Sequence, residues 1–138
     1  MDIREMSIED YKKVYELWEI SDIILKTSDQ RKEINRMIKR NPYTCLVGEN
    51  DNEIVAAVMG GFDGRRGYVH HLAVKPDLQK QGLGRKMIEE LMNRFEELKV
   101  IKVHLFVENK NEKVKKFYEK IGFDERTDLT DYSKTIRQ

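Results

Sequence analysis

The stretch VKPDLQKQGLGRKMIEEL, Val74 to Leu91, runs off an apolar segment, through a short loop holding two glycines, and into a helical pattern. The first turn of a helix leaves backbone N–H groups without partners, and the helix dipole adds partial positive charge there. Glycine lets the backbone come close to an anion seated on those groups. Gln79, Lys80, Gln81, Gly82, Leu83, Gly84 and Arg85 present such a row of N–H groups, and Lys80, Arg85 and Lys86 add charge. A pyrophosphate suits that description. A plain turn explains the same residues, because Gly-x-Gly at a strand-to-helix junction also arises for steric reasons. The loop is not a Walker A loop, since no Gly-Lys-Ser/Thr follows at the right spacing. The third glycine of a full dinucleotide fingerprint is missing as well.

Upstream of the loop, YVHHLAV (68–74) reads as a strand, preceded by the turn DGRRG. YTCLVGE and EIVAAVMGGF read as two strands joined by the turn residues NDN, hence a hairpin. Before them, IEDYKKVYELWEI places Ile8, Tyr11, Val14, Tyr15, Leu17 and Trp18 at helical spacing. Ser7 with Asp10 resembles a capping box at its start. DQRKEINRMIKR is a second helix, with Ile34, Met37 and Ile38 on one side, ended by Asn41-Pro42. MDIREM alternates weakly as a first strand.

Downstream, Gly82 to about Lys99 is a long amphipathic helix with Met87, Ile88, Leu91, Met92, Phe95 and Leu98 on one face. VIKVHLFVE alternates as a strand ending at Glu108, Asn111 to Ile121 is a helix stopped by Gly122, and the tail from Phe123 has room for one or two further strands. Hairpins first and a strand–helix–strand crossover later predict an α/β (α+β) fold. Its centre is a mixed, mostly antiparallel sheet flanked by helices.

The bulk composition narrows the function. With 138 residues, one domain over 1–138 is expected. Net charge is +1, from 26 basic and 25 acidic residues, so nothing pulls the whole chain toward nucleic acid or an anionic membrane. Cys45 is the only cysteine, which excludes an intrachain disulfide and fits a reducing cytoplasm. No apolar run has the length of a signal peptide or a membrane helix, and no His/Cys cluster has metal spacing.

The loop does not stand alone. HLAVKPDLQKQGLGRKMIEEL resembles motif A of the GCN5-related N-acetyltransferases, whose core Gln/Arg-x-x-Gly-x-Gly/Ala reads here as Gln79-Lys80-Gln81-Gly82-Leu83-Gly84. A second element of that family, Asn, an apolar or small residue, Tyr and Gly-Phe, reads as Asn111, Val114, Tyr118 and Gly122-Phe123. Val114 departs mildly from the usual Ala. The start and middle of the chain look like the YpeA-like small bacterial members. The resemblance implies the acyl-CoA N-acyltransferase fold, acetyl-CoA as co-substrate without a metal, and transfer of acetyl to a primary amine of a small molecule or a peptide. A non-catalytic acyl-CoA sensor on the same fold is the alternative. A homodimer is a family habit with no feature of this sequence behind it.

In the resembled family, the strand before motif A and the next strand splay apart, and the pantetheine arm pairs with backbone in the gap. Carried over, that backbone belongs to Leu72, Ala73 and Val74, with the pyrophosphate on the N–H groups of Gln81 to Arg85. Tyr118 is then the acid for the departing sulfur. Asn111 caps the last helix and also meets the pantetheine arm. Leu72 N–H is the expected oxyanion partner. An amine with an ordinary pKa of about 10.4 has to lose a proton before it attacks. The candidate bases are His70, His71 and Glu108, with a water chain as the alternative. Adjacent residues of a strand point to opposite faces, so His70 and His71 are expected on opposite sides. The N-terminal helices, with Trp18 to Asp29, are expected to wall the acceptor pocket, where Ser21, Asp22 and Asp29 would favour a polar or cationic amine.

Overall fold

Three apolar strands from the middle of the chain form the centre of a five-stranded sheet. The structure, a computed structural model, describes residues 1–137. β1 (Asp2–Glu5), β2 (Cys45–Asn50), β3 (Glu53–Phe62), β4 (Gly67–Val74) and β5 (Val103–His104) lie side by side in that order. The first four are antiparallel; β5 joins β4 in parallel, as the crossover requires. Between β1 and β2 come α1 (Tyr11–Ile20) and α2 (Arg31–Arg40), and between β4 and β5 comes α3 (Leu83–Glu97). The chain divides into two compact units, Met1–Leu105 and the segment from Phe106 onward.

The period-two pattern of the strands separates two apolar faces. One face carries Cys45, Val47, Ala57, Met59 and Ala73, packed with Val14, Leu17 and Trp18 of α1 and Ile34 and Ile38 of α2. α3 covers the other face, where glycines let it approach closely. A Cβ on Gly60 would stand 2.6 Å from Leu91 Cδ1 and 2.8 Å from the Thr44 carbonyl oxygen, and one on Gly67 would meet the Phe95 ring at 3.0 Å. Met87, Ile88, Leu91 and Phe95 of α3 are buried there.

At the entry to α1 the Ser7 N–H donates to Asp10 Oδ2 at 2.9 Å, as the capping pattern predicts. Residues Ile8–Asp10 form a 3-10 turn before the α-helix begins. Arg4 of β1 clamps Asp10 with two hydrogen bonds of 2.8 Å and reaches Glu49 on β2 at 2.6 Å, tying the helix start to the sheet edge.

Two expectations fail at the C-terminal side. The alternating run 100–108 forms a strand only at Val103–His104, against Gly67 and Tyr68. Ile101, which the pattern would have set on the apolar side with Val103, is 97% exposed, so alternation there has no covering layer to satisfy. No strand follows Phe123 among the described residues. The second unit consists of α4 (Glu112–Lys120), capped by Asn111, whose Oδ1 accepts from Val114 N at 3.3 Å. Gly122, at φ +104, lets the chain leave the helix, and Phe123 N returns to the Tyr118 carbonyl at 2.9 Å.

Candidate active site

The candidate residues of the first unit gather along β4 and the loop after it. From Val69 to Val74 this strand pairs with β3 alone, because β5 reaches only Gly67 and Tyr68. Among the described residues no strand lies beside Leu72, Ala73 and Val74 on that edge. Val74 C=O accepts from Gln79 Nε2 at 3.0 Å and from Ser21 Oγ at 3.4 Å. The Gln79 side chain thus folds back on the strand that precedes it and shapes the loop.

The loop behaves as its glycines predict. Lys80 and Gly82 both adopt left-handed backbone, at φ +64 and φ +82, and Gly82 is the residue before the first turn of α3. A Cβ on Gly82 would meet nothing within 4 Å, so the glycine is required by its dihedral and not by crowding. Among the described residues no side chain caps this helix end. The N–H groups of Leu83, Gly84 and Arg85 belong to the first helical turn and have no carbonyl within the helix to reach. Gln81, Arg85 and Lys86 are exposed around it, with Arg85 paired to Glu89 at 2.8 Å. Open strand edge and uncapped helix end occupy the same end of β4. That combination fits a long anionic ligand with a peptide-like arm.

One expectation is overturned in β4 itself. Ala57 pairs with Ala73 and Met59 with His70, so His71 and Leu72 together face the single residue Val58. This is a β-bulge, and His71 takes it up with φ +52. The extra residue breaks the alternation, and both histidines turn to the α1/α2 side instead of to opposite faces. A Cβ on Gly61 would stand 3.8 Å from His70 Nε2 and 3.4 Å from Met37 of α2. The His71 ring meets Trp18 of α1 edge to face, with centroids 5.0 Å apart. Its Nε2 lies 2.7 Å from Oδ1 of Asp29.

Asp29 is the residue that sequence reasoning placed least well. It is 5% exposed, at the end of a 3-10 turn spanning Thr27–Asp29. Its Oδ2 accepts from Lys26 N at 3.0 Å, and its carbonyl accepts from Tyr11 OH at 2.7 Å. Burial acts to raise its carboxyl, but the His71 hydrogen bond and the Lys26 N–H prevail and hold it below the usual carboxylate range. Asp29 is thus occupied by a histidine. The only sequence signal was a polar residue before a helix, which says nothing of a partner on β4. His70 is exposed by area, yet the protein around it disfavours the imidazolium. Desolvation and the neighbouring His71 lower its pKa, against the pull of Asp29.

In the second unit Tyr118 is 9% exposed between Phe117 and Phe123, with ring centroids at 5.0 and 5.5 Å, and burial pushes its phenol up to about 12. Glu108 does not close a strand; it lies exposed before the turn into α4, its carbonyl accepting from Asn111 N at 2.9 Å. Cys45 is fully buried, and its thiol is pushed up to about 12 by desolvation. Lys115 of α4 bridges Glu112 and Glu125 at 3.6 and 3.5 Å, and Lys113, Lys116 and Lys120 are solvated.

The model of the acetyltransferase (GNAT) family matches residues 5–123. An acetyltransferase of Pectobacterium atrosepticum is 35% identical over 124 residues, covering 90% of this chain and 88% of that protein. Among solved structures, Ard1 of Thermoplasma volcanium superposes with a TM-score of 0.81 at 22% identity, covering 89% of this chain and 82% of that one. The PaiA N-acetyltransferase of Thermoplasma acidophilum, solved in complex with coenzyme A, gives 0.79 at 18% identity, covering 89% of each. The fold is that of the acyl-CoA N-acyltransferases. The chain belongs to the acetyltransferase (GNAT) family and is an acetyl-CoA-dependent acetyltransferase.

Proposed function

We propose that this protein moves acetyl from acetyl-CoA to a primary amine, of a small molecule or a peptide, by direct nucleophilic attack within one domain. The observation that carries the reading is the pairing of an open β4 edge with an uncapped, glycine-led helix end at the same end of the strand. Acetyl-CoA supplies an activated thioester carbonyl. Leu72, Ala73 and Val74 would offer backbone groups to its pantetheine arm, and Gln81 to Arg85 would hold its pyrophosphate, with Gln79 and Lys80 shaping the loop. The coenzyme A bound in the Thermoplasma acidophilum neighbour supports this assignment.

Leu72 has no register partner on β3, which leaves its N–H suited to the charge that develops on the acetyl oxygen. The amine nitrogen forms its bond to the acetyl carbon as the carbon–sulfur bond breaks. The sulfur leaves with its electron pair and takes a proton from Tyr118, whose buried phenol stays protonated at neutral pH. Asn111, besides capping α4, would bond the pantetheine arm. The burial of Cys45 supports direct transfer without an acyl-enzyme.

Calorimetric titration with acetyl-CoA, with ATP and NAD as controls, tests the donor site. Micromolar binding of acetyl-CoA alone is expected. An amine panel with detection of free thiol then tests the reaction. Binding without turnover of any amine would turn the reading to an acyl-CoA sensor, and no binding would overturn the donor site itself.

A further inference from the structure

The bulge at His71 and the carboxylate of Asp29 come together across 42 positions of sequence. Each side of the contact is held independently. Asp29 is fixed by Lys26 N at 3.0 Å and by the Tyr11 hydroxyl on its carbonyl at 2.7 Å. His71 is fixed by its bulged backbone at φ +52 and by the edge of its ring contact with Trp18. A non-glycine residue at such a dihedral is strained, and strain of that kind collects where geometry serves a function. Histidine is among the residues that tolerate it. The Trp18 indole is fully buried, and its Nε1 has no hydrogen-bond partner among the described residues, so a polar donor lies in the same cluster.

The pairing has a chemical consequence. With Nε2 donating its hydrogen to Asp29, the neutral ring keeps its lone pair on Nδ1. No hydrogen bond to that atom exists among the described residues, and the side chain is 24% exposed. An imidazole held in this tautomer presents its Nδ1 lone pair to a reacting group. His70 has no comparable partner for the charge it would gain. Leu72, whose N–H is assigned to the acetyl oxygen, is the next residue along the bulge.

We propose that His71 is the general base for the acceptor amine and that Asp29 is its positioning residue, fixing the tautomer through Nε2. The ammonium proton passes to His71 Nδ1 before attack, and the imidazolium returns it to solvent; as the nitrogen–carbon bond forms the nitrogen sheds its second proton to solvent, and the Tyr118 phenoxide regains one from solvent. This rests on the acetyl-transfer reading above.

The test uses the intact chain and the variants His71→Asn and Asp29→Asn; asparagine tolerates the left-handed backbone of position 71. Acetyl-CoA binding is measured first for all three, so that loss of the donor site is recognised separately. Nitrogen-detected NMR of the imidazoles is then recorded at neutral pH. His71 is expected as the Nε2–H tautomer in the native chain and as a tautomer mixture in Asp29→Asn. Acetyl transfer is measured to spermidine, to a lysine peptide and to hydroxylamine, which is already neutral at pH 7 and needs no base. His71→Asn is expected to lose about 100-fold or more with the amines and less than a few fold with hydroxylamine. Asp29→Asn is expected to lose about 10-fold or more with the amines alone. An Nδ1–H tautomer in the native chain overturns the proposal, whether or not any amine of the panel is a substrate. Equal losses with hydroxylamine and the amines, or amine rates in His71→Asn like those of the native chain, overturn it too.

Discussion

His70 and His71 are neighbours in sequence, yet both side chains turn to the α1/α2 side of the sheet, because one extra residue is accommodated in β4 opposite Val58. The bulge also frees Leu72 from register and brings His71 to Asp29. Strand geometry and prospective chemistry thus meet within three residues.

Gly82 is demanded by its backbone at φ +82 and not by its surroundings. Gly82→Ala therefore costs about 1–2 kcal/mol of strain, since an alanine there has to adopt the left-handed region. The expected outcome is a Tm lower by about 3–6 °C together with severalfold weaker acetyl-CoA binding by calorimetry. Unchanged affinity would separate the loop from the donor.

Gly60 is the opposite case. A Cβ there would stand 2.6 Å from Leu91 Cδ1 and 2.8 Å from the Thr44 carbonyl oxygen, and a backbone atom has little room to yield. Gly60→Ala is expected to destabilise by about 2 kcal/mol through overpacking between β3 and α3. Urea unfolding measures this directly as a lower midpoint with an unchanged slope.

Tyr118 keeps its proton far above neutrality because burial pushes the phenol up to about 12. Tyr118→Phe is expected to lower kcat about 100-fold, at the low end for a general acid because a thiolate leaves readily. KM for acetyl-CoA is expected to change little. The ratio of native to variant rates stays flat from about pH 7 to 9, since the phenol does not ionise there. A ratio that collapses across this range would remove Tyr118 from the acid role.

Arg4 and Asp10 make stability depend on pH. The Asp10 carboxyl is held below its ordinary value, chiefly by the Arg4 hydrogen bond, against the opposing effect of burial. A lowered folded pKa contributes stability that is fully present above the unfolded value of about 3.9. That stability is lost as pH falls from there through the folded value. With the Arg4 side chain 41% exposed, solvent screening reduces the pair to about 1 kcal/mol. Arg4→Met is expected to show that deficit in urea unfolding at neutral pH, and the difference from the native chain to shrink below about pH 4.

Cys45 has no exposure, and its thiol is raised to about 12. A thiol reagent is expected to label it only after unfolding. Cys45→Ala is expected to retain acetyl transfer at a stability cost of about 1 kcal/mol. A variant that binds acetyl-CoA but turns over no amine would point to an acyl-enzyme instead.

Local chemistry made much of this protein legible in advance. The 3.6-residue period marked α1 and α2 to within a few residues, the turn residues Asp51-Asn52 marked the β2–β3 hairpin, and Gly122 marked the end of α4. The Gly82 loop was readable because a left-handed residue before a helix calls for glycine, whatever surrounds it. These features depend on residues within a few positions of one another. The length of β5, the bare tail, the bulge at His71 and its contact with Asp29 do not. Alternation from Val100 to Glu108 predicted a strand, but pairing and burial required a neighbour, and β4 offers one only at Gly67 and Tyr68. The two histidines were expected to diverge because strand periodicity is two; one inserted residue reverses that, and only the register against β3 reveals it. Sequence by itself determined the helices, the β2–β3 hairpin and the glycine-led helix end. Tertiary structure alone decided which way His71 points and what it meets, because that contact joins Asp29 to a strand 42 residues away.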